Sequence, residues 1–367
     1  MMSLRISAKL SSRVGCFFLL GSAALAHADQ LSFDTLYRSP HYLGHGDAGV
    51  AVADDLEAIF YNPAGIASGK GLYKGTVLLS PTLEASAQAK DLARQVFVEG
   101  ENNADTLRHY LGKNIHFGLS NASALIFRRA ALGVLVNTQT DLMIAKTAEA
   151  RGVESVSATL AANRVATFSV ADSFWNERFQ VGSTIKYILR NEAKVEANII
   201  DAANISDQLA ADKAGQDRQG IGVDLGLMYK HPSAPWRLGL HMENAGTTYL
   251  RATESEAHPR RLPQIVTLGW AYEMAAKMDT LRILADVRDI AGSTEKSAVK
   301  RLHLGAEMSV ARIIGLNAGL NQGYPTAGIY LNLYVLRCDI GTYTQEIGSA
   351  AGLRPDQRYY FRLMAGF

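Results

Sequence analysis

IIGLNAGLNQGYPTAGIYLNLYVL, residues 313–336, is the longest uncharged run outside the N-terminal region, and its reading decides the fold. It is long enough to span a bilayer as a helix, yet it holds Asn317, Asn321, Gln322, Pro325 and four glycines, which a spanning helix does not tolerate together. It parses well as strand, turn, strand: 313–321, then Gln322-Gly323-Tyr324-Pro325, then 326–333.

The same alternation extends through most of the second half. In 221–230 one face is Ile221, Val223, Leu225, Leu227 and Tyr229, and the other is Gly222, Asp224, Gly226, Met228 and Lys230. Further segments repeat it, and their polar faces carry Arg237 and Glu243; Arg282, Asp286 and Arg288; Arg301 and Glu307; Arg337 and Asp339; and Arg358 and Arg362. Strands are expected at 72–83, 115–127, 131–143, 154–173, 179–193, 219–230, 236–244, 264–274, 280–289, 300–310, 313–321, 326–334, 336–345 and 357–367.

Strand number decides which face is outside. About eight strands already enclose a space that side chains fill, so about fourteen with an apolar lining would enclose a dry void. The expected fold is therefore an all-β transmembrane antiparallel barrel, its apolar face in lipid and its polar face lining the lumen. Short turns at 128–130, 174–178, 231–235, 275–279 and 311–312 alternate with longer connections at 84–114, 194–218, 245–263, 290–299 and 346–356. Short turns belong in the periplasm, which places both termini there. The outward face of the last segment, Tyr359, Phe361, Leu363 and the terminal Phe367, has the aromatic pattern of a C-terminal signal for the barrel-assembly machinery.

Composition agrees. The 367 residues are 48% hydrophobic and 20% charged, which excludes a disordered chain and a helical membrane protein. A formal charge of +2 suggests no nucleic-acid partner. Residues 1–28 read as a secretory signal peptide: Arg5, Lys9 and Arg13, an apolar run, then Ala26-His27-Ala28. Removing those three cations and no acid takes the formal charge from +2 to −1 and leaves Cys338 as the single cysteine, so no internal disulfide forms.

Residues 29–70 have no clean period but contain the most distinctive local sequence, Gly46-Asp47-Ala48-Gly49-Val50-Ala51-Val52-Ala53-Asp54-Asp55 followed by Asn62-Pro63-Ala64-Gly65. Asn62 can bond its own backbone two residues on, and Pro63 pre-sets φ, so a tight turn is expected there. Asp54 and Asp55 are candidates to pair with the basic lumen face.

This segment resembles the N-terminal plug of the FadL/TodX family of outer-membrane transporters for hydrophobic compounds. The resemblance implies a plugged barrel, 71–367, that passes hydrophobic small molecules such as long-chain fatty acids. The C-terminal half, with Glu243-Asn244-Ala245-Gly246, His303-Leu304-Gly305-Ala306-Glu307 and Asn317-Ala318-Gly319, is similar to shorter PorV-type secretion accessory proteins and TraF-like barrel proteins. That likeness implies the alternative of a non-transporting accessory that binds a secreted protein.

Other chemistry is weakly signalled. His41 and His45 stand at i, i+4, but Gly44 and Gly46 are expected to break a helix there, so no metal is assigned. No nucleophile elbow or C-x-x-C is present, and no enzyme activity or cofactor is expected. In the longer connections, Leu92/Val96 and Leu107/Leu111 suggest short amphipathic helices over the barrel mouth, and Ile199, Ile200, Ile205 and Leu209 give a second apolar group.

Overall fold

The computed structural model describes residues 35–68, 73–97, 108–146, 154–198, 217–253, 258–276 and 279–366. The expected signal peptide, Leu107, the apolar group at 199–209 and Phe367 lie outside the described residues.

Fourteen antiparallel staves close on themselves. They are β1 (Tyr73–Leu79 continued by Thr82–Ser86), β2 (Asn114–Phe127), β3 (Ala130–Lys146), β4 (Glu154–Phe174), β5 (Phe179–Asn198), β6 (Asp217–Lys230), β7 (Trp236–Glu243 continued by Thr248–Ala252), β8 (Arg260–Leu262 continued by Ile265–Ala276), β9 (Asp279–Val287), β10 (Leu302–Val310), β11 (Ile314–Asn321), β12 (Tyr324–Leu333), β13 (Leu336–Glu346) and β14 (Pro355–Gly366). Closure is made by β14, whose residues 358–362 pair with the second half of β1 and whose Ala365 and Gly366 pair with the first. Every N–H and C=O of the wall can thereby find a neighbouring stave, which lipid demands.

The alternation sets the faces as expected. Ile221, Leu225 and Leu227 of β6 are exposed, while Asp224 and Met228, of opposite parity, are buried. On β14, Tyr359, Phe361 and Leu363 face out and Arg358, Tyr360 and Arg362 are buried inside. Staves β9 to β14 run 8 to 12 residues, which suits one bilayer crossing. With 17, 21 and 20 residues, β3, β4 and β5 are too long for that and project beyond it.

Three expectations are corrected. The connection 245–263 is partly strand, because β7 and β8 extend into it as a paired hairpin, Thr248 to Leu262 and Leu250 to Arg260. Arg288 and Arg301 stand just outside β9 and β10, at the two ends of an ordered connection. The third concerns the helix α3, which is present (Ala87–Phe97) but does not cover the mouth. Its Ala89 and Leu92, with Tyr110 and Leu111, pack on Ile115, Ile144, Val156 and Ala158. Strand parity puts those wall residues on the outward face, and Lys90 lies over the outward Tyr359 ring at 5.9 Å. Burying this apolar patch on the exterior of the tall side is more favourable than leaving it in water.

Candidate functional site

Residues 35–68 fill the lumen. Ser39 caps α1 (Pro40–Gly44) by accepting the N–H of Tyr42, with Pro40 in the first turn, and Gly46 and Asp47 then adopt positive φ and reverse the chain. After α2 (Ala58–Tyr61), Asn62 forms the expected turn. Its Oδ1 accepts the Ala64 N–H at 3.2 Å, and Pro63 opens a short 3-10 helix, Pro63–Ala67. The Asn62 amide also donates to Val50 O at 2.9 Å and to Leu227 O of β6 at 3.1 Å, so one side chain folds the segment and fastens it to the wall.

Backbone groups in this segment lack the partners that regular structure would give them, and the wall supplies several. Asp286 of β9 accepts the N–H groups of Gly49 and Val50 at 2.7 and 3.0 Å. Thr326 of β12 donates to Gly44 O and accepts from the Gly46 N–H, both at 3.0 Å. The His303 ring lies 2.8 Å from Gly46 O. Ala48, Ala51, Ala53, Ala58 and Ala64 are buried, small enough to let backbone meet wall. Inward glycines complete the fit: a Cβ on Gly226 would fall 2.2 Å from Asn62 Oδ1, and one on Gly239 2.4 Å from Val50 O.

Charges on the wall pair in several groups. Arg237 bridges Asp54 (3.9 Å) and Glu273 (3.1 Å), Arg282 bridges Glu273 (2.7 Å) and Glu307 (3.4 Å), and Arg362 bridges Asp339 (2.9 Å) and Glu57 (2.8 Å). Arg337 holds Asp339 at 2.9 Å and lies over the Tyr330 ring. Arg358 contacts Asp356 and Glu84, and Arg288 contacts Glu243. Arg301 is in none of them; it donates to Asp289 O within the connection between β9 and β10. Of the two candidate acids, Asp54 reaches Arg237, whereas Asp55 turns to accept the N–H of Glu57. Two acids of the segment are buried: Asp47, whose Oδ1 accepts the Tyr61 hydroxyl, and Glu57, which sequence reading missed. Also missed were the buried pair Lys186–Asp224 at 2.7 Å and His116 between Glu84 (3.1 Å) and Asp141 (2.8 Å). Inward parity on their strands was the available signal.

The helix ends at Gly44, as expected, with His45 as its C-cap, yet the two rings still meet. His41 and His45 sit on one turn with ring centroids 5.1 Å apart, edge to face. Burial, with the Arg337 guanidinium second, holds His41 well below the usual imidazole range; burial also lowers His45. Both rings are therefore neutral at ordinary pH.

A cavity of about 370 Å³ lies between this segment and the wall at the end bearing the short turns. Leu56, Val77, Ile126, Val335, Leu336 and Met364 give it apolar lining, with Asp54, Asp55, Arg337 and Arg362 at its polar side. Smaller cavities of about 30, 40 and 70 Å³ are lined mainly by polar groups such as Thr35, Arg38, His116 and His303.

No protein-family model matches the chain, and no curated protein does. Solved structures do. The CymD monoaromatic hydrocarbon channel is 13% identical with a TM-score of 0.52, covering 91% of this chain and 98% of that one. The Ralstonia pickettii toluene transporter TbuX is 12% identical with a TM-score of 0.50, covering 91% and 99%. A deltaS2S3 mutant of the TodX monoaromatic hydrocarbon channel is 10% identical with a TM-score of 0.51, covering 89% and 97%. The molecule is thus a closed fourteen-strand transmembrane β-barrel with an internal N-terminal segment. Its fold is that of the FadL/TodX-type channels, matched over nearly the whole of each chain.

Proposed function

We propose that the protein is an outer-membrane channel for hydrophobic small molecules, exported by the signal peptide 1–28 and gated by residues 29–70 acting as a plug. The 370 Å³ cavity carries this reading: its volume is in the range of small-ligand pockets, Leu56, Val77, Ile126 and Met364 give it an apolar side, and it touches plug and wall together. The likeness in fold to channels described as carrying monoaromatic hydrocarbons supports it. No chemistry is performed. Passage works by population shift, a ligand favouring a displaced plug over the seated one. Membrane lipid covers the apolar band, and the barrel-assembly machinery reads β14 through Tyr359, Phe361 and Leu363.

Leu56→Trp, which fills the cavity, tests the proposal. In vesicles carrying the purified barrel, uptake of toluene and of a long-chain fatty acid should be compared; a loss of about fivefold or more for at least one supports passage through this cavity. Uptake equal to that of unmodified protein, or no uptake by either, overturns it. The accessory reading, a barrel that binds a secreted protein, is favoured by the ionic, water-sized character of the three smaller cavities. Its mark would be unchanged hydrocarbon uptake in cells lacking the protein, together with loss of an exported protein.

A further inference from the structure

α1 and its C-cap bring His41 and His45 toward Glu307 of β10, and one donor atom from each lies within 4.8 Å of the other two. All three residues are at most 5% exposed. An independent observation points to a missing partner. Both ring nitrogens of His45 are buried without a hydrogen bond.

We propose that His41, His45 and Glu307 bind a transition-metal dication of the zinc type, which fastens α1 to β10. Two imidazoles and one carboxylate are the donor set such an ion takes, and one that magnesium and calcium, which prefer all-oxygen shells, do not. Tetrahedral zinc with bonds near 2.1 Å sets its donors roughly 3.4 Å apart, so side-chain rotations on the order of 1 Å close the shell. His41 binds through Nε2, already 3.6 Å from Glu307 Oε2. Its Nδ1 then carries the proton and turns from Arg337 Nη2, now at 2.7 Å, toward Asp339 Oδ1, now at 3.9 Å. Arg337 keeps its bonds to Asp339, and Glu307 Oε1 keeps the Tyr330 hydroxyl at 2.9 Å. A carboxylate behind a ligating imidazole is the usual support for such a ligand. Water supplies the fourth position.

The test uses the full chain refolded in detergent, stripped with EDTA and dialysed against Zn²⁺ or Cu²⁺, with metal content measured after gel filtration. The unmodified protein should retain one equivalent, and its Cu²⁺ spectrum should show coupling to two imidazole nitrogens. His45→Ala and Glu307→Gln should each weaken retention by about tenfold or more, whereas His109→Ala, at an exposed histidine, should not. Circular dichroism confirms that each variant is folded, and Glu307→Gln keeps the test open where His45→Ala fails to fold. Substoichiometric retention by the unmodified protein, equal retention by all three variants, or coupling to fewer than two nitrogens overturns the site. None of these readouts depends on uptake, so the site and the channel reading stand or fall separately.

Discussion

The Asp286 carboxylate on the barrel wall accepts the backbone N–H of Gly49 at 2.7 Å, across 237 positions of sequence, and takes that of Val50 with its same oxygen. Two donors that no helix or strand satisfies are thus met by one acceptor. Asp286→Ala leaves both buried and unpaired, at about 1–3 kcal/mol each. It should lower the free energy of unfolding in detergent by about 2–5 kcal/mol and raise the conductance of bilayers carrying the barrel. Asp286→Asn, which keeps an acceptor oxygen, should lose roughly half as much.

Close approach makes a second contrast. Gly226→Ala drives a methyl into Asn62 Oδ1 and the Ala64 N–H, parts of the turn that fastens the internal segment. Gly118→Ala meets only side chains, those of Glu84 and His116, at 3.3 Å. Gly226→Ala should cost about 1–3 kcal/mol as an overpacked site, and Gly118→Ala less than about 1 kcal/mol. Limited proteolysis should release residues from the internal segment of the first variant alone.

Asp289 organises the connection between β9 and β10. Its carboxylate accepts the N–H groups of Ser293, Thr294 and Glu295 and the hydroxyls of Ser293 and Thr294. Burial alone would raise its pKa; these hydrogen bonds, those from the Glu295 and Thr294 N–H groups foremost, outweigh it and hold the carboxyl below its usual range. A carboxylate depressed in the folded state stabilises fully above its unfolded value, near pH 4, and loses that contribution as pH falls through the lower folded value. Amide exchange at 293–295 should therefore be protected at pH 5 to 7 and lose protection below pH 4. Asp289→Ala, which has no acceptor, should lack the protection at every pH.

Orientation follows from the alternation of turn lengths. With Cys338 replaced by serine, a cysteine at Thr253, in the connection between β7 and β8, should react with a membrane-impermeant maleimide on intact cells. One at Ser233, in the short turn between β6 and β7, should react only after the outer membrane is permeabilised. The reverse pattern would turn the barrel over.

Strand parity, stave number and the turn at Asn62-Pro63 were legible in the sequence because each is local. A side chain two residues on returns to the same face, and an Asx turn is written in its own residues. Parity even separated Asp224 and Met228 from Leu225 and Leu227 without any knowledge of neighbours. Glycines on the inward face, Gly226 and Gly239 among them, were visible too, but their purpose was not. The internal segment that requires them has no period that places it against a particular stave.

What the sequence alone determined is therefore the wall: an alternation that only a closed sheet in lipid satisfies, with its charges turned inward. Tertiary structure alone decided which charges meet. That Glu57 rather than Asp55 takes Arg362, that α3 covers the outside of the tall staves, and that Glu307 arrives beside His41 and His45 all depend on register around the closed barrel. Pairing across a ring of fourteen staves brings together residues hundreds of positions apart, and the stability of such contacts is set by burial and partner geometry, neither of which is encoded in any local window.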